Sequence, residues 1–119
     1  MEKIFEQALL YDFYGELLTD HQKSIYEDFV LNDFSLSEIG EDRNISRQGV
    51  YDIIRRCDKL LNGYEEKLHL VQKFLMAKEE VSNIHQLASE LLSTEVDHQK
   101  ATEYLRQIEI ISNKILEEM

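Results

Sequence analysis

Between Val50 and Leu92 apolar residues recur every three or four positions, at Val50, Ile53, Ile54, Cys57, Leu60, Leu61, Tyr64, Leu68, Val71, Phe74 and Leu75 and on through Val81, Ile84, Leu87, Ala88, Leu91 and Leu92. That spacing places them on one stripe of an α-helix and cannot be kept on one face of a strand. The whole chain of 119 residues contains no proline and four glycines, so little in it forces an interruption. An all-α fold is the expectation. Gly63 is the soft point of the long stripe: either the helix runs through it or the chain turns there. "STEVDHQ" (93–99) supplies a break. A last helix then carries Ala101, Tyr104, Leu105, Ile108, Ile111, Ile115 and Leu116.

Upstream, polar residues mark shorter helices. Apolar positions from Ile4 to Leu18 give a first, aromatic-rich helix over 3–18. Thr19 or Asp20 can cap a second one whose inner face is Ile25, Tyr26, Phe29 and Val30. "NDFS" breaks it. Ser35 can cap a third, with Glu38 placed to complete a capping box in which each side chain satisfies the other residue's backbone N–H. Ser46 can cap a fourth.

The third and fourth helices enclose "LSEIGEDRNISRQGVYDIIRR" (36–56), whose spacing suits a helix-turn-helix. Two short helices that cross tightly need an inward apolar residue and then a very small one, here Ile39 and Gly40. The reversal needs a residue that tolerates positive φ, and Asn44 is among the few non-glycines that do. Ile45 can plug the turn, Val50 and Ile53 can fix the second helix on the first, and Leu36 adds an apolar residue at the start.

Charge sharpens and complicates this. The formal net charge is −11. Residues 1–45 hold 3 basic and 11 acidic residues, and residues 63–119 hold 6 and 11, whereas residues 46–62 hold 4 and 2. The one net-positive stretch is therefore the second helix of the pair. Its outward face includes Arg47, Gln48, Tyr51, Asp52, Arg55, Arg56 and Lys59, with Ser46 at its cap and Arg43 just before the turn. The first residues of a recognition helix reach base edges, where Arg suits guanine and Gln suits adenine; Arg55, Arg56 and Lys59 suit phosphates. These nine residues, Arg43, Ser46, Arg47, Gln48, Tyr51, Asp52, Arg55, Arg56 and Lys59, are the candidate nucleic-acid contacts. Gly49 in the first turn is expected to leave a gap that a backbone or a partner's side chain could enter. Affinity for nucleic acid comes mostly from neutralised phosphates, so four or five cations in negative surroundings imply weak binding by one copy.

Other chemistries find little support. His21, His69, His85 and His98 are scattered, with no HExxH spacing. There is no glycine-rich phosphate loop and no nucleophile–histidine set, so neither an enzyme nor a cofactor is expected. Cys57 lies on the apolar stripe as a core thiol, and a single cysteine fits a reducing cytoplasm. The N-terminus lacks the basic start and apolar block of a secretion signal, and no apolar run has the length of a membrane span. A cytoplasmic location is expected. Domain organisation reads as a helix-turn-helix head over 1–62 and a helical extension over 63–119. The extension's two helices either close on the protein's own core or join copies, and their excess of apolar stripe favours a homo-oligomer, a dimer.

Residues 11–74 also carry a resemblance. "YDFYGELLT", "NDFSLSEI", "SRQGVYD" and "YEEKL", in that order, resemble the YlxM family of small bacterial helix-turn-helix proteins, and the core unit is similar to region four of bacterial sigma factors, without a wing. The resemblance implies that the helix opening in "SR" is the reading helix, which carries over to Ser46, Arg47 and Gln48. Typical members have Ala where this chain has Gly49, a departure expected to loosen the helix start by about 1 kcal/mol. It further implies a regulator bound to DNA, or an adaptor of the signal recognition particle that binds the particle's protein or its RNA.

Overall fold

A computed structural model describes residues 2–93 and 95–119. Among the described residues all regular structure is helical: α1 (Lys3–Tyr14), a 3₁₀ turn (Gly15–Leu17), α2 (Asp20–Val30), α3 (Leu36–Arg43), α4 (Arg47–Leu68), α5 (Leu70–Ser93) and α6 (His98–Glu118). The chain forms two compact units, one ending at Val71 and the other beginning at Gln72.

In the first unit α4 is the spine against which α1, α2 and α3 pack. Ile25, Tyr26, Ile39, Val50, Cys57 and Leu61 are wholly buried along it. The polar signals between helices act as expected. Thr19, rather than Asp20, caps α2, its hydroxyl accepting the Gln22 N–H while the Gln22 amide accepts the Thr19 N–H. Ser35 and Glu38 form the reciprocal box at α3. Ser46 caps α4 by accepting the Gly49 N–H. Each box satisfies backbone donors that a helix start leaves unpaired.

One boundary differs from expectation, and the structure decides one alternative that the sequence leaves open. The first helix stops at Tyr14 rather than running to residue 18. Gly15 lies so close beneath the Tyr11 ring that a Cβ there would stand 2.9 Å from it, and the chain leaves through the 3₁₀ turn to an extended Leu18. The open alternative concerns the long stripe: α4 runs through Gly63 and ends at His69, which adopts the left-handed conformation (φ 57°, ψ 27°). The break is held from outside the helix. The Tyr14 hydroxyl accepts the Leu70 N–H at 3.1 Å, and Glu65 accepts the Val71 N–H at 2.9 Å. The first donors of α5 thus find partners off the helix axis, and the first compact unit ends at the buried Val71.

Acidic residues are part of this core. Tyr26 donates to Asp58 at 2.6 Å, Tyr14 to Glu65 at 2.5 Å and Tyr11 to Glu27 at 2.9 Å. Gln7 of α1 also donates to Asp58, at 3.0 Å. Burial, reinforced by the neighbouring carboxylates, raises all three phenols, Tyr11 to about 12. An unfolded tyrosine ionises near pH 10. Because the folded values lie higher, unfolding releases protons in this range. The contribution is therefore complete below about pH 10 and is lost as pH rises through the folded values. Equilibrium unfolding followed across this range is expected to show stability falling steeply above about pH 10, with the tyrosinate absorbance of Tyr11, Tyr14 and Tyr26 appearing together with loss of helix rather than before it.

In the second unit, the residues of α5 from Gln72 onward and α6 run antiparallel. Lys114 pairs with Glu80 at 2.9 Å and Tyr104 hydrogen-bonds Glu90. Ile84, Leu87 and Leu91 of α5 and Ile108, Ile111 and Ile115 of α6 are half-buried. No described side chain of α6 is buried. Asp97 caps α6 by accepting the Lys100 N–H at 2.7 Å. The expected break at 93–99 is seen at Glu95–Asp97; Thr94 lies outside the described residues.

Candidate nucleic-acid interface

The helix-turn-helix is built as its spacing implies. Asn44 ends α3 with φ 56° and ψ 45°, the left-handed region where Asn is tolerated far better than a branched residue. The turn then folds back: Ile45 donates its N–H to the Gly40 carbonyl at 2.9 Å. A Cβ on Gly40 would stand 2.5 Å from the Ile45 carbonyl oxygen. Glycine is required there by the returning turn itself more than by the helix crossing. Ile39 and Val50 are wholly buried on either side, and Ile45 is half-buried as the plug. At Gly49 the structure corrects one expectation. No gap exists, because the Ile45 Cγ2 methyl occupies the space and would lie 2.8 Å from a Cβ.

Of the nine candidate contacts, seven stand exposed on the first four turns of α4: Arg47, Gln48, Tyr51, Asp52, Arg55, Arg56 and Lys59. Several hold one another in place. Gln48 donates to Asp52 at 3.1 Å, and the Arg55 guanidinium lies 5.9 Å from the centre of the Tyr51 ring, a cation–π arrangement. Ser46 is exposed, but its oxygen is committed to capping the helix. Arg43 is engaged differently. It is half-buried and pairs with Asp28 of α2 at 2.6 Å, a bond that holds the Asp28 carboxyl below its ordinary range. This ion pair fastens α3 to α2.

The tertiary structure also divides the exposed residues. Arg47 and Gln48 stand at the free N-terminal end of α4. Tyr51, Arg55 and Lys59 recur at four-residue intervals and form one wall of a groove of about 890 Å³. Its other side is contributed by Lys3 of α1, Phe29 of α2 and Leu36 of α3. Lys3 is a cation that sequence reasoning passed over, since no local pattern connects it with residues some fifty positions away. A smaller hollow on α4, about 440 Å³, adds Lys67 beside Arg56 and Lys59.

Cys57 is wholly buried, and burial pushes its thiol up to about 11. A thiol held protonated in this way is a poor nucleophile and a poor metal ligand. Among the described residues no group of His, Cys, Asp and Glu is placed to hold a metal ion, and no helix is long and apolar enough to cross a membrane.

Comparison with known proteins then places this architecture. The model of the UPF0122 family, helix-turn-helix proteins described as YlxM / p13 like, matches residues 1–107. The chain belongs to the UPF0122 family. UPF0122 protein YlxM of Bacillus subtilis is 47% identical over 89 residues, covering 75% of this chain and 81% of its own length. A UPF0122 protein of Acetivibrio thermocellus is 56% identical over 78 residues, 66% of this chain and 67% of that one. The similarity is not confined to the head: a UPF0122 protein of Lactococcus lactis is 39% identical over 114 residues, 96% of each chain.

Proposed function

We propose that this UPF0122 protein is a DNA-binding regulator that places the first turns of α4 in the major groove. The observation that carries this reading is the exposed Arg47–Gln48 pair. It opens a helix whose start is fixed by the Ser46 cap and by the tight Gly40–Asn44–Ile45 turn. Such residues at the first turn of a second helix are the ones that reach base edges. Arg55, Arg56 and Lys59, further along, supply phosphate contacts from the one net-positive stretch of the chain.

So few cations in so acidic a chain make single-copy binding weak and steeply salt-dependent. The proposal therefore includes two copies, joined through the α5–α6 hairpin, whose own seam leaves the facing isoleucines and leucines half-buried. Sedimentation of the full chain is expected to report a dimer.

Gel retardation with a pool of genomic fragments at about 50 mM salt tests the reading. The protein is expected to retard a subset of fragments, and Arg47→Ala and Arg55→Ala each to weaken retardation by about tenfold or more. No retardation of any fragment under these conditions would overturn it.

A second reading rests on the net charge of −11, which suits a basic partner. In it the protein is an adaptor of the signal recognition particle, its acidic surface meeting the particle's protein or the basic face of α4 meeting the particle's RNA. Titration of the purified particle protein and RNA separately against the labelled chain tests this, and absence of binding to both removes it.

A further inference from the structure

The groove beside α4 has a chemistry that a DNA backbone does not use. Its floor is apolar: Phe29 and Leu36 are half-buried, Ile54 is buried, and Tyr51 beside them remains 42% exposed. Lys3, Arg55, Arg56 and Lys59 line the same groove. Two carboxylates share the lining, but both are already engaged, Asp52 by Gln48 and Asp58 by Tyr26 and Gln7. These neutral donors leave both carboxylates charged, so the lining holds four cations against two anions and is net positive. Apolar surface also continues along the chain next to Lys3, where Ile4 and Phe5 are 40% and 61% exposed.

We propose that this groove seats an amphipathic, acidic helix of a partner protein. Leucine-like side chains at i, i+3, i+4 and i+7 would lie on Phe29, Leu36 and Ile54, and flanking glutamates or aspartates would meet the four cations, the usual division of labour when a helix lies in a groove. A phosphodiester track has nothing to place on an apolar floor, and leaving that floor wet would forfeit the gain from covering it. The overall negative charge does not forbid an acidic ligand. At physiological salt fields decay over about 8 Å, so the nearby cations outweigh acids elsewhere on the surface. On this view the N-terminal turn of α4 reaches base edges, while Arg55 and Lys59 are cations for which a phosphate backbone and the partner helix compete.

The test uses the full-length protein and a fluorescein-labelled Leu/Glu helical peptide of about 18 residues with that leucine spacing. A peptide of identical composition but scrambled order serves as control. Anisotropy is expected to show micromolar binding of the amphipathic peptide and none of the scrambled one. The charge reversals Lys3→Glu and Lys59→Glu, both on exposed side chains, are expected together to weaken binding by about tenfold. Backbone amide shifts should map to Phe29, Leu36, Tyr51 and Arg55. Equal binding of both peptides, undiminished binding by the doubly reversed variant, or shifts confined to α5 and α6 would overturn the proposal. So would a DNA duplex that shifts the Phe29 and Leu36 amides when the peptide does not, since the groove would then belong to nucleic acid.

Discussion

Gly40→Ala is expected to destabilise the head by about 3 kcal/mol, at the upper end of what one added methyl does in a packed interior. The neighbour it would meet is backbone. The new Cβ would stand 2.5 Å from the Ile45 carbonyl oxygen, and that residue is tied back to Gly40 by its own N–H. No side-chain rotation relieves such a contact. The turn must open, which would move Ser46 and hence the start of α4. The same substitution at Gly63 supplies the control. Nothing lies within 4 Å of a Cβ there, and the residue is inside a continuous helix. Gly63→Ala should therefore stabilise by about 0.5–1 kcal/mol, through helix propensity and a less flexible unfolded chain. Urea unfolding of both variants measures the pair. Similar midpoint shifts of the same sign would refute this account of the turn.

Asp58→Ala is expected to cost about 3 kcal/mol, although it removes a negative charge from a chain already at −11. Asp58 accepts from Tyr26 on α2 and Gln7 on α1, so it joins both helices to α4. Tyr26 is wholly buried and Gln7 nearly so. Removing their acceptor strands the wholly buried Tyr26 hydroxyl and takes from Gln7 its partner, and an orphaned buried donor costs more than the net value of its hydrogen bond. Asp58→Asn keeps an acceptor and should cost about 1 kcal/mol. Tyr26→Phe introduced into Asp58→Ala should recover part of the loss, because it removes one stranded donor. Additive effects in this double-mutant cycle would mean that the two groups do not act as a pair.

The acid-rich composition reads differently in the light of these contacts. Counted along the chain, acids look like solvated faces that repel DNA. In the fold Glu27, Asp28, Asp58 and Glu65 each accept from a tyrosine or pair with an arginine, and they hold helices together. Arg43 shows the converse. It reads as a candidate contact because it sits beside the turn, yet its guanidinium is bonded to Asp28. Gly49 departs from expectation for a related reason: whether a missing Cβ leaves a hole depends on where the Ile45 methyl goes.

What the sequence determined by itself is everything that works over three or four residues. The helical class, the Ser35 and Ser46 caps, the left-handed Asn44 and the outward basic face of α4 all follow from neighbours within one helical turn. What only the tertiary structure decided rests on partners far apart in the chain. Gln7 and Asp58 are separated by 51 positions, and Tyr14 and Leu70 by 56. Those bonds fasten α1 to the spine and put the helix break at His69, where nothing local calls for one, instead of at Gly63. The same packing brings Lys3 to the groove that Arg55 and Lys59 line. Local propensity sets which segments are helices; where they stop and which of their charges remain available are set by the surfaces they meet.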